Sequence, residues 1–304
     1  MNVSRRRLLV ASVTLTALTA CGTRTSPTRP TLIDPAEPLP PIEERIGLLE
    51  NRHNAFVGLY AVNLDSNLTL AHRDADMFAM CSTFKAYLAA RVLQKAQRNE
   101  LAMTDMLYVD PAVVIGYSPA TEPKVGTSLA LSELCRAILQ QSDNTAANML
   151  LRVIGGPPAI TEFARSIGDD RTRLDRWETE LNSALPGDPR DTSTPQALGG
   201  GLQAILTGDV LDDPQRAQLE DWMRGSVTSS LRAGLPPGWT SADKTGSGDY
   251  ASTNDIGMVF GPNGERILLA IMTRTRADNP KAEPLRQLVA EVTRITLPAL
   301  RGQG

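Results

Sequence analysis

The sequence predicts an α/β fold: one five-stranded antiparallel sheet built from both chain ends, packed with helices, plus an inserted all-helical lobe. Two observations support this class. Strand-like segments occur near both ends of the chain, and segments with apolar residues at helical spacing lie between them. This order suggests a sheet closed by the two termini, with a crevice between sheet and lobe. At 304 residues and 41% hydrophobic composition, the chain can bury one large core or two interlocked ones.

The first 20 residues have the pattern of an export signal and are not expected to belong to the fold. Arg5–Arg7 precede an apolar run, residues 8–20, which is too short to span a bilayer as a stable helix. The arginines fit a twin-arginine signal, although an ordinary basic segment could also contain them. The sequence therefore predicts export and leaves two routes open.

Cys21 ends the string Leu18–Cys21, which resembles a lipobox. A lipobox cysteine is acylated and becomes the first mature residue; the alternative is an ordinary small-residue cleavage site with an incidental cysteine. Residues 22–41 are rich in proline, threonine and arginine, as a tether would be. We therefore expect a lipid anchor and tether at 21–41 and a folded domain at 42–304, on the outer face of the cell membrane or in the periplasm.

The five strands come from two regions. Near the N-terminus, residues 55–62 read as a strand and residues 68–72 as its hairpin partner, with a turn at Asp65–Asn67. Near the C-terminus, three segments are strand-like: residues 241–245, 255–260 and 266–273. Asn263-Gly264 lies between the last two, and this dipeptide is a strong hairpin signal.

Helical spacing of apolar residues dominates the middle of the chain. It predicts helices at residues 83–98, 132–140 and 145–154, the last ending at Gly155-Gly156, within a lobe that covers about 81–230. A terminal helix is predicted at residues 280–297. No internal repeat interrupts this organisation.

Composition argues against two classes of partner. A net charge of −3 gives no electrostatic footprint for nucleic acid. His53 and His72, the two histidines, have no metal-ligand neighbour at helical or zinc-finger spacing, so neither a metal nor another cofactor is expected. Cys81 and Cys135 should be free, buried thiols that pack as small hydrophobic groups.

Four short strings carry the chemistry. In chain order they are Ser82–Lys85, Ser142–Asn144, Glu178–Asn182 and Lys244–Gly246. They supply a hydroxyl nucleophile, two lysines, a second hydroxyl and a carboxylate, which is the equipment for acyl transfer through a serine ester. S-x-x-K alone is a loose pattern and recurs at 241–244, but its combination with S-D-N and K-T-G in this order is specific.

The base that would activate Ser82 is open. A serine needs a base at neutral pH, and the motif region holds no histidine and no G-x-S-x-G elbow around Ser82. The candidates are Lys85, acting as a neutral amine, and Glu178, acting through a water. Apart from the other motifs, Ser82 could simply cap a helix, and the S-D-N string could do the same for the next one.

This ordered set, together with Arg176–Asn182 as an R-x-E-x-x-L-N string, resembles the class A serine β-lactamases from about Ile42 to about Pro298. The resemblance implies an α/β sandwich with its site in the crevice. It also implies that Ser82 forms an acyl-enzyme, that Ser142 relays a proton to the leaving nitrogen, and that Asn144 binds the substrate's acylamide.

The resemblance assigns further roles around the K-T-G string. Lys244 would hold Ser142 and the substrate carboxylate, and Gly246 would let the substrate approach the strand. The backbone N–H groups of Ser82 and Ser247 would form an oxyanion hole. Thr245 and Ser247 resemble the branch of the family that is active on oxyimino-cephalosporins.

Residues 174–195, called the Ω-loop below, have three prolines and opposite charges at Arg176 and Asp191 that could tie the neck of the loop. By resemblance, the loop holds Glu178 and Asn182 against one water. Tyr117 resembles the aromatic wall of the cleft. The family often has an arginine where this chain has Thr253, and Arg286 is the candidate substitute for binding the substrate carboxylate.

The sequence therefore predicts a monomeric, lipid-anchored enzyme that hydrolyses penicillins and some cephalosporins and so confers β-lactam resistance. Two rivals stay open at this point. One is a D,D-peptidase or penicillin-binding protein acting on peptidoglycan, and the other is a catalytically silent lipoprotein that only binds β-lactams. Glu178 argues against both, because neither rival needs a residue for deacylation.

Overall fold

The structure is a computed structural model that describes residues 39–302. Its helices are α1 Ile42–His53, α2 Lys85–Gln97, α3 Leu131–Gln140, α4 Asn144–Ile154, α5 Pro158–Ser166, α6 Pro195–Thr207, α7 Asp213–Arg224 and α8 Arg286–Leu300. Its strands are β1 Ala55–Asn63, β2 Thr69–His72, β3 Phe78–Ala79, β4 Met106–Tyr108, β5 Ser128–Ala130, β6 Thr192–Ser193, β7 Thr240–Ser247, β8 Thr253–Phe260 and β9 Arg266–Thr275. The predicted export signal, Cys21 and most of the tether lie outside the described residues.

The main sheet has five antiparallel strands in the order β2-β1-β9-β8-β7, as the sequence predicts. β1 and β9 pair along their whole length, from Ala55 opposite Thr275 to Asn63 opposite Ile267. The first and last strand segments of the domain are therefore neighbours at the centre of the sheet. β8 and β9 form the hairpin expected from Asn263-Gly264, and Gly264 has a φ of +89°, which a glycine adopts without strain.

Both faces of the sheet are buried, and β9 shows how. Its residues Leu268, Ala270 and Met272 belong to the core shared with the helical lobe, whereas Ile267, Leu269 and Ile271 belong to the core shared with α1 and α8. Because successive side chains of a strand point to opposite faces, this strand reads as a continuous apolar run. The result is two interlocked cores with β9 between them.

Two helix predictions need correction. The terminal helix begins at Arg286 instead of residue 280, because Pro284 disfavours the α conformation in the residue before it. Helix α2 begins at Lys85, and the preceding residues, Cys81–Phe84, form a tighter 3-10 turn. Helix α1 was not predicted at all, although Ile42, Ile46 and Leu49 recur at helical spacing and are buried in the structure.

The two cysteines of the described domain are as predicted. Cys81 and Cys135 are buried and free. Burial raises the pKa of both thiols far above the usual range, so neither is poised to react as a thiolate. Between residues 39 and 302, no helix is both long and apolar enough to cross a membrane.

Two adjacent glycines of α6 make a matched test of lobe packing. A Cβ on Gly201 would lie 1.8 Å from the Tyr87 hydroxyl oxygen, whereas a Cβ on Gly200 would meet nothing within 4 Å. Tyr87 is fully buried, and its hydroxyl donates to Asp169 Oδ2 at 2.8 Å, so it has no room to move. We expect Gly201→Ala to lower the free energy of unfolding by about 1–3 kcal/mol through overpacking.

Gly200→Ala should instead leave that free energy unchanged or raise it by about 0.5–1 kcal/mol, because alanine is the better helix former. Urea unfolding of the two variants and the wild type measures both effects. Equal stability of the two variants would contradict this account of the α6 packing.

Candidate active site

A cleft of about 250 Å³ lies between the edge strand β7 and the helical lobe, where the sequence predicts a crevice. It is lined by Ser82, Tyr117, Ser142, Asn144, Asn182, Thr228, Ser230, Thr245, Ser247 and Arg286. Three further predicted site residues, Lys85, Glu178 and Lys244, are buried and hydrogen-bond to residues of this lining. The structure thus gathers all the candidate catalytic and substrate-binding residues in one place.

Ser82 lies in the 3-10 turn that precedes α2. The chain before it is anchored from two sides: Asn254 Nδ2 donates to the backbone oxygens of Ala79 (2.8 Å) and Met80 (3.1 Å), and Met80 N donates to Asp191 O at 2.9 Å. The Ser82 hydroxyl does not cap the helix. Instead Ser82 Oγ donates to Glu178 Oε1 at 3.0 Å, which leaves the simple N-cap interpretation wrong.

Lys85 is fully buried, one turn along from Ser82. Its Nζ lies 2.9 Å from Glu178 Oε1 and donates to Asn144 Oδ1 at 2.7 Å and to Ser142 O at 2.8 Å. Burial lowers the pKa of Lys85, while the neighbouring Glu178 carboxylate acts in the opposite direction. The amine is therefore held among acceptors, with a pKa below that of an ordinary lysine.

Glu178 is held by two asparagines. Asn182 Nδ2 donates to Glu178 Oε2 at 2.6 Å, so both carboxylate oxygens are engaged. Asn148 clamps the backbone: its Oδ1 accepts from Glu178 N at 3.0 Å and its Nδ2 donates to Glu178 O at 2.8 Å. Sequence reasoning missed Asn148, although it follows Asn144 by one helical turn, which would have placed both on one face of α4.

The neck of the Ω-loop closes on Asp191, which is fully buried. Arg176 Nε lies 2.5 Å from Asp191 Oδ2. Asp191 Oδ1 accepts from the backbone N–H groups of Asp175 (2.7 Å) and Arg176 (2.9 Å). Asp191 O also accepts a hydrogen bond from Met80 N. Asp191 therefore joins the neck of the loop to the segment that carries Ser82.

Ser142 lies between the two lysines. Its Oγ is 3.1 Å from Lys244 Nζ and 3.4 Å from Lys85 Nζ. Burial, together with the nearby charge of Lys85, lowers the pKa of Lys244 to about 7. The hydroxyl is thus in contact with two buried amines, each with a pKa below that of an ordinary lysine.

Asp143 is the N-cap of α4, as the alternative interpretation of the S-D-N string allows. Its Oδ1 accepts from Ala146 N at 2.8 Å, and its Oδ2 accepts from the N–H groups of Ala120 and Thr121, both at 2.9 Å. The cap therefore also binds the loop that carries Tyr117. The flanking Ser142 and Asn144 are free of capping and line the cleft.

Three residues at the cleft have a backbone in the left-handed region: Cys81 (φ 47°), Tyr117 (φ 60°) and Ser142 (φ 60°). Such a conformation costs about 1–3 kcal/mol for a residue other than glycine and is common at functional sites. It turns the chain so that Ser142 and Tyr117 line the cleft. Tyr117 is 61% exposed at the cleft.

Two residues that line the cleft near strand β7 belong to none of the sequence motifs. Thr228 and Ser230 line the cleft, and the Thr228 hydroxyl is 2.6 Å from that of Thr245. Asp255 Oδ2 accepts from Ser230 N at 2.7 Å, which fixes this segment to β8. Burial raises the pKa of Asp255 and of its neighbour Asp243.

The packing of the protein itself requires a glycine at position 246. A Cβ on Gly246 would lie 2.5 Å from Met80 O and 3.1 Å from Ser82 N, both atoms of the protein itself. Glycine is therefore required because β7 packs directly against the segment carrying Ser82, and its expected role in letting a substrate approach stays a prediction.

Thr253 holds the start of helix α8 through its hydroxyl. Its hydroxyl donates to Ala251 O and accepts from Leu285 N, both at 2.9 Å, and so anchors the start of α8. Arg286, the first residue of that helix, then reaches the lining of the cleft. Within residues 39–302, no group of three or more metal-ligating side chains is gathered together.

The neck of the Ω-loop gives a test. Asp191→Asn removes the charge that faces Arg176, which costs up to about 3–5 kcal/mol for a fully buried pair and less where one partner, as here, is partly exposed. Arg190→Gln, in an exposed pair with Asp188, is the matched control and should cost below about 1 kcal/mol. We expect Asp191→Asn alone to lower thermal stability and change substrate preference; unchanged stability and kinetics would refute the role of this pair.

Comparison with known proteins gives one family. A sequence profile of the Beta-lactamase enzyme family matches residues 41–296. Beta-lactamase AST-1 of Nocardia asteroides is 41% identical over 98% of this chain and 97% of its own length. Beta-lactamase CTX-M-25 of Escherichia coli is 41% identical over 84% of this chain and 87% of its own length.

Solved structures agree with the sequence comparisons. The crystal structure of a beta-lactamase from Desulfarculus baarsii matches with a TM-score of 0.83 at 40% identity, covering 85% of this chain and 97% of that one. An ancestral class A beta-lactamase matches with a TM-score of 0.81 at 41% identity, covering 85% of this chain and all of that one. Motifs, geometry and these matches together lead to one conclusion: the chain belongs to the beta-lactamase enzyme family, with class A enzymes among its structural neighbours.

Proposed function

We propose that this protein is a serine β-lactamase that hydrolyses the cyclic amide of penicillins and some cephalosporins through an acyl-enzyme on Ser82, and so confers β-lactam resistance. The observation that carries the proposal is the contact of Ser82 Oγ with Glu178 Oε1 at 3.0 Å, beside Lys85 Nζ at 2.9 Å from the same oxygen. A hydroxyl and an amine that share one carboxylate oxygen can pass a proton between them through that carboxylate.

In the acylation step Ser82 Oγ attacks the β-lactam carbonyl carbon and loses its proton. Two acceptors are within reach: Glu178, which Ser82 contacts directly, and Lys85, which shares that carboxylate oxygen. The lowered pKa of Lys85 favours a neutral amine more than in an ordinary lysine. Both paths therefore stay open, and both deliver the proton into the same buried cluster.

The leaving nitrogen of the opened ring needs a proton, which we assign to Ser142. Its hydroxyl contacts Lys244 at 3.1 Å and Lys85 at 3.4 Å, so a proton taken from Ser82 can return through Lys85 to Ser142. Ser142 Oγ then donates to the nitrogen as the C–N bond breaks. The route carries the Ser82 proton to the leaving nitrogen, and Lys85 and Ser142 end the step in the protonation states in which they began it.

Deacylation needs a water and a base. Glu178 would accept a proton from a water that attacks the ester of Ser82, with Asn182 holding the same water. Two observations support this assignment: Asn182 Nδ2 orients the carboxylate at 2.6 Å, and Asn182 Oδ1 is buried with no hydrogen-bond partner in the described part of the chain. That oxygen is available to accept from a water.

The remaining cleft residues would bind the substrate. Lys244, Thr245 and Arg286 would hold its carboxylate, Asn144 its acylamide, and Tyr117 would form an aromatic wall. The backbone N–H groups of Ser82 and Ser247 would stabilise the oxyanion. The tight packing of Gly246 against Ser82 N supports this last assignment, since it holds the end of β7 beside Ser82.

The two rivals are less well supported. A penicillin-binding protein needs an acylated serine but no carboxylate that releases the drug, and a silent binding protein needs neither. Here Glu178 is held on its backbone by Asn148 and on its side chain by Asn182, directly against Ser82. This arrangement favours turnover over trapping of the drug.

Two variants separate acylation from deacylation. Glu178→Ala should be acylated by a penicillin but fail to deacylate, because the lost general base contributes about 10²–10⁴-fold or more. Ser82→Ala should form no covalent adduct. Mass spectrometry after brief exposure to a penicillin should show Glu178→Ala heavier by the full mass of the drug, since ring opening loses no atoms.

Each rival has its own outcome in that experiment. Turnover of Glu178→Ala at the wild-type rate would remove Glu178 from the mechanism. A wild-type enzyme that itself stays trapped as the adduct would favour the penicillin-binding rival. No adduct on any variant, together with no hydrolysis by the wild type, would favour a silent protein that binds β-lactams without reacting.

We further propose that the enzyme is exported, through the twin-arginine or the general route, and acts as a monomer anchored by an acylated Cys21. The support is the lipobox-like string after the apolar run and the proline-rich segment that follows it. Cys21→Ala should release the enzyme into the soluble fraction, whereas Thr25→Ala, a control in the tether, should not. A membrane-bound Cys21→Ala variant together with a wild type that carries no acyl mass would refute the anchor.

A further inference from the structure

A second cavity, of about 180 Å³, lies behind the Ω-loop and is called the rear cavity here. One wall is the second half of the loop, residues 184–190, and the others include Met77, Ala79, Ser252 and Arg274. None of its lining residues belongs to the lining of the active-site cleft. The rear cavity is therefore a separate space that shares only the Ω-loop with the site.

Arg274 brings an unbalanced positive charge to the rear cavity. Its guanidinium stacks on the ring of Phe56, 4.4 Å from the centroid, and makes no hydrogen bond or ion pair with any residue from 39 to 302. Arg73 and Arg276 stack on the same ring and share the single carboxylate of Glu50, at 2.8 Å and 3.1 Å. Burial lowers the pKa of the Arg274 guanidinium, and the charge of Asp76 acts in the opposite direction.

The other charges at the rear cavity are already paired. Asp188 lines it, and its carboxylate binds Arg190 Nη2 at 2.7 Å. Asp76, the nearest further acid to Arg274, lies 3.9 Å from Arg73 and is more than half exposed. The net charge facing the cavity is therefore that of Arg274, and it attracts an anion.

Ser252 supplies a second unsatisfied group. It is 3% exposed and lines the rear cavity, yet its hydroxyl makes no hydrogen bond within the described chain. Its backbone groups are used in the turn at Asp249, where Ser252 N donates to Asp249 O at 3.1 Å and Ser252 O accepts from Gly248 N at 3.0 Å. Because no residue of the described chain engages this hydroxyl, it is free to donate to a bound acceptor.

We propose that the rear cavity is a binding site for a small oxyanion, held by the Arg274 guanidinium and the Ser252 hydroxyl. A guanidinium fork and a hydroxyl are matched to tetrahedral or carboxylate oxygens. At about 180 Å³, against about 250 Å³ for the active-site cleft, the rear cavity is the smaller space and suits phosphate or a short carboxylate. The bound anion would join β9 to the Ω-loop.

This bridge has a consequence for the loop. Residues 184–190 form the cavity wall directly after Asn182, which orients the Glu178 carboxylate. An anion that contacts both Arg274 and the loop wall favours the closed loop, because it binds the closed form and not an opened one. Occupancy should therefore slow local opening of residues 185–190.

The test uses the full chain, dialysed into chloride buffer and titrated with inorganic phosphate at constant ionic strength; a second titration uses succinate. At about ten times the dissociation constant, the thermal midpoint of the wild type should be about 3–5 °C higher, and it should go on rising with the logarithm of the anion concentration. The larger response distinguishes a phosphate-type from a carboxylate-type ligand. Hydrogen exchange of the amides of residues 185–190 should slow over the same concentration range.

Three variants locate the effect. Arg274→Met keeps the apolar stem over Phe56 and should abolish both responses, while Ser252→Ala should weaken binding several-fold. Arg136→Met removes an exposed arginine of α3, which does not line the rear cavity, and should respond like the wild type. Arg274→Met should also hydrolyse a chromogenic cephalosporin within about twofold of the wild-type rate, since it lies outside the cleft.

The proposal is overturned if neither anion raises the thermal midpoint of the wild type, or if Arg274→Met and Ser252→Ala both respond as the wild type does. Should Arg274→Met fold poorly, the Ser252→Ala titration and the exchange data still decide. Because the midpoint and the exchange rates do not depend on turnover, failure of this site and failure of the proposed function are told apart.

Discussion

The contact between Lys85 and Glu178, 2.9 Å apart and shielded from solvent, is the interaction on which the rest of the site depends. Removing two charges from water costs several kcal/mol for each ion, and their attraction offsets this only if further hydrogen bonds complete both groups. Asn144 and Ser142 accept hydrogen bonds from the lysine, and Asn182 donates one to the carboxylate. The site is thus a buried polar network in which each member has a partner, and Ser82 is bound into it through Glu178.

The fold supplies this network from three separate parts of the chain. The start of α2 carries Lys85, the start of α4 carries Asn144, and the Ω-loop carries Glu178. Such parts hold their relative positions only if their backbones are fixed to one another. Asp191 fixes the loop neck to the Ser82 segment, and Asn148 fixes the loop tip to α4. Tertiary contacts of this kind keep a loop residue in place as firmly as one on a helix.

The Ω-loop has two sides with different chemistry. Its inner side presents Glu178 and Asn182 to the cleft, and its outer side forms a wall of the rear cavity, near Arg274. The inner side is fully partnered except for Asn182 Oδ1, whereas the rear cavity retains an unneutralised guanidinium and an unbonded hydroxyl. A loop placed between two polar spaces can transmit a change at one to the other, because its closed form is the only one that contacts both.

The sequence by itself determined the central sheet and the reacting groups. Alternating apolar runs at both chain ends specify the five strands, and S-x-x-K, S-D-N, Glu178 and K-T-G specify residue types that the chemistry requires. Prediction from the sequence failed for two helices. The start of α8 was placed too early, before Pro284, and α1 was missed because its helical pattern is weak. Only the tertiary structure decided that Gly246 is needed by Met80 O, that Asn148 holds Glu178, and that Thr228 and Ser230 line the cleft. The reason is physical: these roles depend on contacts between residues far apart in the chain, which leave no periodicity or spacing in the sequence.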